Sequence, residues 1–451
     1  MSPTKTLHYF NAPPGLTKEE IEEMFEKCGT EKPTKIKQFN TKNERSSTGL
    51  LQFDSKGDAM EALISVNHYS LPNPNVKHLT SPPCMLISCK VILVCSYDMG
   101  ALTGRNRRGI HSVSANSVLQ LRTCVCEGYA NLFEELCKHA DIKVKKISGY
   151  SKGYGHKPGS QFSYSQQTDH AWNAVYINGR WQFIECTWGS GATDNRGIYH
   201  QRFEDFFFFT DPRHFITAHF PYMEGDAEGS KQWQLLEKPV ALEEFSNNIA
   251  PDILAMKLGL RFSHNDTVIN VDKTVEIEIV DPNKRLCVVS SNLFHISGQN
   301  YSDFTYTRRV KPGIFQTEVR IPLQGKFELQ IYGSTETDSK SLDHVITYML
   351  TSRELNSNVE PYPTIFPDSQ RYFCELIEPT KGVLPANTNV KIKIRSPNMV
   401  QGLAGMKEMR QKSNNIWEAT VLTPGPGGSL DVFGSDHYGC DYRCLFIFQI
   451  R

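Results

Sequence analysis

Residues 169–189 read DHAWNAVYINGRWQFIECTWG, and this stretch decides how the middle of the chain folds. Asn178-Gly179 supplies two neighbouring residues that tolerate positive φ, the signature of a type I′ hairpin turn. It joins two runs rich in β-branched and aromatic residues, Ala171 to Ile177 and Trp181 to Glu185. Pairing Ile177 with Arg180 fixes the register and carries His170 opposite Thr187. Glu185 is then a diagonal neighbour of His170, within reach of a long side chain.

Upstream of the hairpin, Arg122 to Phe133 opens a helix whose Tyr129, Leu132, Phe133 and Leu136 fall on one face. Cys126 sits at its start. A thiol is a weak nucleophile until a helix N-terminus and a neighbouring imidazolium favour the thiolate, and the imidazole needs a third group to orient it. Taken singly, a helical cysteine is a packing residue, a strand histidine a satisfied polar group and a glutamate a surface charge. Cys126, His170 and Glu185 together make a nucleophile, a base and an orienting carboxylate. Gly128 allows close approach beside the nucleophile, and Trp172, Trp181 and Trp188 are available to exclude water, with Gly128, Trp172 and Trp188 expected along the cleft. Gly149 to Gly159 reads as a glycine-rich rim carrying Tyr150, Tyr154 and His156.

The flanks have a different character. From Thr6 to about Lys90 the order is strand, helix, strand, strand, helix, strand, which is the ferredoxin-like arrangement. Thr17 to Glu20 has capping-box spacing ahead of Ile21, Met24 and Phe25, Ala59 to Val66 forms the second helix, and Met85 to Ile87 the last strand. Beyond Pro239 the alternation turns all-β, in Val275 to Ile279, Cys287 to Val289, Val319 to Ile321 and Phe327 to Tyr332. Asn356 to Pro367 reads as a proline-marked linker before a second β segment from Tyr372 to Arg451. The fold class is therefore multidomain α+β, with expected domains at 1–90, 91–245, 246–355 and 365–451.

Composition narrows the function. At 451 residues the chain is long enough for about three domains, and 39% hydrophobic residues is ordinary globular usage. Lys+Arg and Asp+Glu are equal at 49 each, so no global field advertises nucleic acid or an anionic membrane. The 12 cysteines are too sparse for a disulfide scaffold, and the start lacks the apolar segment of a signal peptide. A reducing, cytoplasmic setting is expected, not a secreted one. No run approaches the roughly 18 apolar residues of a membrane span. Neither Cys124-Val-Cys126 nor His437, Cys440 and Cys444 has zinc spacing, so no metal and no cofactor is expected.

The three blocks Cys126-Glu-Gly-Tyr-Ala, Asp169-His-Ala-Trp-Asn and Glu185-Cys-Thr-Trp-Gly resemble those of the transglutaminase-like superfamily, whose core is papain-like. Phe209-Thr-Asp-Pro-Arg-His-Phe-Ile, Pro239-Val-Ala-Leu-Glu-Glu-Phe and Ile377-Glu-Pro-Thr-Lys-Gly narrow the resemblance to the kyphoscoliosis peptidase and hillarin group. It runs over about residues 95–451. The resemblance implies Cys126 as nucleophile, His170 as base and Glu185 at a position where the group has Asp. Glutamate is one methylene longer, and a misplacement of about 1 Å costs on the order of a hundredfold in rate. Upstream of Cys126 no full helix is evident, and no Trp precedes Trp172 to act as a side-chain oxyanion donor.

Thr6 to Thr17 and Ala59 to Tyr69 resemble the last RNA-recognition motif of heterogeneous nuclear ribonucleoprotein L. That resemblance implies RNA contact through His8 and Phe10, with Lys35 and Lys37 along the phosphates. Thr48 and Leu50 stand where the third-strand aromatics would be. The expected activity is that of a cysteine peptidase on amide bonds of intracellular, cytoskeletal proteins, with filament or muscle cross-linker partners implied by the resemblance. The alternative is a non-catalytic cytoskeletal scaffold, with RNA bound by the first module.

Overall fold

The computed structural model describes residues 6–12, 17–27, 31–39, 47–54, 88, 91, 95–102 and 113–451, apart from 195, 338, 340, 354–357, 413, 414 and 440. The chain divides into two compact units. One comprises Met1–Tyr150, Thr168–Phe215 and Pro221–Glu237; the other comprises Ser151–Gln167, Ile216–Phe220 and Lys238–Arg451. No described helix is long and apolar enough to cross a membrane.

The first unit opens with β1 (Thr6–Ala12), α1 (Lys18–Lys27), β2 (Lys35–Phe39) and β3 (Ser47–Gln52). The three strands are antiparallel in the order β1-β3-β2. The capping box forms as its spacing requires. The Thr17 backbone N–H donates to Glu20 Oε2 at 2.8 Å, and the Glu20 N–H donates to Thr17 Oγ1 at 3.1 Å. Ile21 and Phe25, one turn apart, are buried, and the Phe25 ring lies 5.6 Å from Phe53. The expected helix at 59–66 and strand at 85–87 lie outside the described residues.

Next come β4 (Ser96–Tyr97), α2 (Met99–Leu102), α3 (Ala115–Leu121), β5 (Thr123–Cys124) and α4 (Cys126–His139). Among the described residues upstream of Cys126, α3 is a helix of 7 residues. Its Val118 meets α4 at Gly128, where a Cβ would stand 2.5 Å from Cys124 Cβ and 3.1 Å from Val118 Cγ2. Only glycine lets α4 lie this close. Tyr129, Leu132, Phe133 and Cys137 bury the inner face of α4 against Val175 and Ile184.

Those last two residues belong to the hairpin, β7 (His170–Ile177) and β8 (Arg180–Ile184), which follows β6 (Val144–Ser151). Asn178 at φ 52° and Gly179 at φ 80° make the turn, and Ile177 pairs with Arg180 and Asn173 with Ile184, the register the sequence requires. Antiparallel β6 flanks β7 on its other side, pairing Gly149 with His170. The rim reading of Gly149–Gly159 is therefore corrected: Gly149, Tyr150 and Ser151 are strand, and Tyr150 is fully buried, stacked 5.3 Å from Tyr222. After β8 the chain enters the short helix α5 (Cys186–Gly189).

The second unit contains two β-sandwiches. The first sets Arg261–Phe262, Thr274–Val280, Ile314–Arg320 and Thr305–Lys311 in one sheet, and Val268–Asn270, Asp343–Ser352, Gly325–Ser334 and Val288–His295 in the other. Strict alternation along Ile314–Arg320 and Gly325–Ser334 sends Phe315, Val319, Leu329 and Ile331 inward. The second sandwich pairs a sheet built on Arg443–Ile450 and Ser429–Ser435 with one built on Asn389–Arg395 and Ile416–Leu422. Here the linker reading is corrected. Thr364–Ile365 is an edge strand on Ile447 and Phe446, and Pro367 opens a helix to Arg371, so the prolines mark an edge and a helix start.

Gly128→Ala is expected to cost about 1–3 kcal/mol through overpacking, since its Cβ would collide with Cys124. A urea midpoint lowered by that amount checks the fit of α4, and an unchanged midpoint refutes it.

Candidate active site

Cys126 is the first residue of α4. The preceding Val125 offers no side-chain cap, so the free backbone N–H groups and the positive end of the helix stand at the thiol. Cys126 is half-buried, and its Sγ lies 3.9 Å from the Asp169 carbonyl oxygen, one residue from His170. Strand β7 begins at His170 and is buried along its first six residues, which fixes the imidazole from the backbone up.

Glu185 follows the last residue of β8 and is the N-cap of α5. Its Oε1 accepts the backbone N–H of Thr187 at 2.7 Å and of Trp188 at 3.2 Å. Its Oε2 lies 2.6 Å from His170 Nε2, with side chains only 5% and 0% exposed. The extra methylene of glutamate is absorbed by this fold-back, because the side chain caps its own helix while meeting the imidazole. With Nε2 taken by Glu185, Nδ1 is the nitrogen left for Cys126.

Burial alone would depress the pKa of His170. The Glu185 charge and hydrogen bonds from Cys126 and Glu185 outweigh it, raising the value to about 10. An imidazolium is thus the favoured form across the neutral range. Aromatic rings close the surroundings: Trp188 lies 5.5 Å and Trp172 5.9 Å from the imidazole.

Of the three residues expected along the cleft, Trp188 is half-buried beside His170. The other two are corrected. Trp172 is 1% exposed and packs in the core with Phe183 and Phe215, and Gly128 is buried against Cys124 and Val118. Cys124 has its own partner, Cys95; that hydrogen bond, then burial, pushes the Cys124 thiol's pKa up, so it stays protonated.

A tyrosine cluster beside α4 has no local signal in the sequence. The Tyr129 hydroxyl donates to the Cys95 carbonyl at 3.0 Å, Tyr199 and Ser190 share a hydrogen bond of 2.5 Å, and Tyr97 lies between the two tyrosine rings. Tyr97 and Tyr199 stand in short strands with no periodicity to mark them. In the first module, Lys35 and Lys37 are exposed on β2, where alternate residues share a face. His8 and Phe10 are on β1, and their side chains lie outside the described residues.

Comparison with known proteins follows this geometry. Residues 88–186 match the transglutaminase-like superfamily. The chain contains a transglutaminase-like domain. Residues 1–83 match an RRM domain, and residues 242–363 match the KY-like, immunoglobulin-like domain. The chain is 32% identical to human kyphoscoliosis peptidase over 269 residues, covering 58% of this chain and 37% of that protein. It is 29% identical to hillarin of Drosophila melanogaster over 269 residues, covering 52% of this chain and 32% of that one. Its first module is 49% identical to mouse heterogeneous nuclear ribonucleoprotein L over 73 residues, or 16% of this chain and 12% of that protein. The matched regions thus span about a third of the length of the peptidase and hillarin relatives. Both resemblances read from the sequence motifs hold, and so does the fold class: an RRM, a transglutaminase-like core and immunoglobulin-like β-sandwiches.

Glu185→Ala would leave a buried imidazole without its counter-charge, with an expected loss of about 3–5 kcal/mol in denaturant unfolding. The pH dependence has a definite sign. Because the folded pKa of His170 lies above its ordinary 6.5, its stabilising contribution is complete below that value and is lost as pH climbs through about 10. The stability gap between wild type and His170→Gln should therefore shrink over that window, and a gap that widens with pH contradicts the assignment.

Proposed function

We propose that residues 91–245 form a transglutaminase-like cysteine peptidase domain that acts on amide bonds of protein substrates through Cys126, His170 and Glu185. The observation that carries this reading is the 2.6 Å contact of His170 with a carboxylate fixed by two backbone N–H groups, with the Cys126 thiol at the other side of the imidazole. The Cys126 sulfur attacks the carbonyl carbon, a C–S bond forms, and the π pair moves onto oxygen. Collapse of that intermediate breaks the C–N bond, and the leaving nitrogen takes its proton from the His170 imidazolium. Water then resolves the acyl-enzyme, with His170 as base; an amine in place of water would give transamidation. Glu185 orients the ring and stabilises its charge. The kyphoscoliosis peptidase likeness favours hydrolysis, and cytoskeletal proteins are the substrate class that the motif resemblance implies. The sandwiches at 246–355 and 365–451 hold those partners.

Iodoacetamide labelling tests the assembly of the site. Cys126 should label rapidly near pH 6, where a free thiol of pKa about 8.5 is nearly inert, and His170→Ala should abolish that rate. Cys287, also half-buried, is the internal comparison, since Cys137 is fully enclosed. Labelling of Cys126 that only tracks Cys287 would sink the ion pair. Cys126→Ala should remove amide cleavage and amine incorporation altogether. Absence of both reactions in wild type and in Glu185→Asp alike would instead favour the scaffold reading.

A second activity, RNA binding, is proposed for residues 1–90 on the strength of the RRM match and the likeness to heterogeneous nuclear ribonucleoprotein L. Lys35 and Lys37, exposed together on β2, are the phosphate contacts. Alanine at both should lower the salt-dependence slope for single-stranded RNA by roughly 0.7 per lost contact. A slope unchanged by the double substitution counts against these two residues.

A further inference from the structure

Acyl transfer places a negative charge on the substrate's former carbonyl oxygen, and donors aimed at that oxygen supply much of the catalysis. The backbone N–H of Cys126, at the head of an uncapped helix, is one such donor. A side chain near the thiol can supply a second, and no tryptophan precedes Trp172 in the sequence.

Tyr97 stands in the right place. Strand β4 runs parallel to β5 with Tyr97 abreast of Cys124, two residues before the nucleophile. Its ring stacks on Tyr129 at 6.4 Å, and Tyr129 lies three positions after Cys126, on the same face of α4. On its other side is the Tyr199 ring, at 5.9 Å. Tyr199 is tied to Ser190, whose hydroxyl donates to the Thr187 carbonyl at 2.6 Å in the helix capped by Glu185. Tyr97 is therefore bracketed by the elements that carry Cys126 and Glu185. The hydroxyls of Tyr129 and Tyr199 are committed, whereas that of half-buried Tyr97 has no hydrogen-bond partner among the described residues.

We propose that Tyr97 is a further catalytic residue, donating its phenolic O–H to the oxyanion that forms when Cys126 adds to a carbonyl. This rests on the acyl-transfer reading above. Burial first, then the charges of Cys126 and Glu185, push the Tyr97 pKa well above its ordinary 10, so the phenol remains a donor at every working pH. Tyr97→Phe keeps the ring between Tyr129 and Tyr199 and removes only the O–H.

The test uses the full chain and N-acetylglycinal, an aldehyde that adds to a thiolate. The C–S bond forms and the π pair moves to oxygen, which remains an oxyanion opposite the imidazolium. Protection of Cys126 from iodoacetamide reads the adduct without any knowledge of the natural substrate. In Tyr97→Phe the uninhibited labelling rate should match wild type, while the aldehyde concentration for half-protection rises about ten- to a hundredfold, the worth of a hydrogen bond to a charged group. Equal half-protection in the two proteins overturns the role of Tyr97 and leaves the acyl-transfer reading intact. Faster uninhibited labelling in Tyr97→Phe also overturns it, because the phenol would then be covering the thiol. A wild type that the aldehyde never protects removes the acyl-transfer reading, and this inference with it.

Discussion

A carboxylate held out of water needs hydrogen-bond donors on both oxygens, and Glu185 meets that demand with two backbone N–H groups and one imidazole. Much of the first unit is arranged around this condition. The N–H groups come from α5, so the short helix exists partly to receive the carboxylate. The imidazole comes from β7, so the hairpin must bring the end of one strand beside the end of the other. Removing either partner strands the other in a low-dielectric interior, which makes the pair a constraint on folding as much as a feature of the site.

The same constraint explains how a glutamate serves in a position where the resembled group has aspartate. Length alone argues for displacement of the imidazole. The backbone answers by leaving the strand at Ile184, so that Glu185 turns back over the first turn of α5 instead of pointing straight across the ladder. One oxygen caps and the other pairs. Helix capping and pairing with the imidazole are thus met by one side chain.

Much of this was legible in the sequence because it is written in local rules. Asn178-Gly179 dictates its turn, Thr17 and Glu20 their capping box, and Tyr129, Leu132 and Phe133 the buried face of α4. The strands of both sandwiches follow their two-residue alternation. What escaped was set by tertiary contact. Tyr150 reads as loop because it lies among glycines, yet it is strand and buried. Trp172 reads as a cleft residue because it shares a face of β7 with His170, yet packing against Phe183 and Phe215 buries its ring in the core. Thr364–Ile365 lies in a proline-rich run that resembles a tether, and only its pairing with Phe446 and Ile447 makes it a strand. Tyr97 has no periodic neighbours at all, so nothing local ties it to Cys126.

The parallel ladder in the first sandwich carries one more implication. Val268–Asn270, near the beginning of that module, runs parallel to Met349–Thr351, near its end. In the second sandwich Val383 and Leu384 also run parallel to Gln449 and Ile450, but Thr364–Ile365 ahead of them pairs antiparallel with the same strand. Pulling the two ends of such a module apart drags the paired strands past each other along their length. All the bonds of the ladder are then loaded together in shear, where an antiparallel terminal pair would open one rung at a time. The first sandwich is therefore wired to resist stretching along the chain.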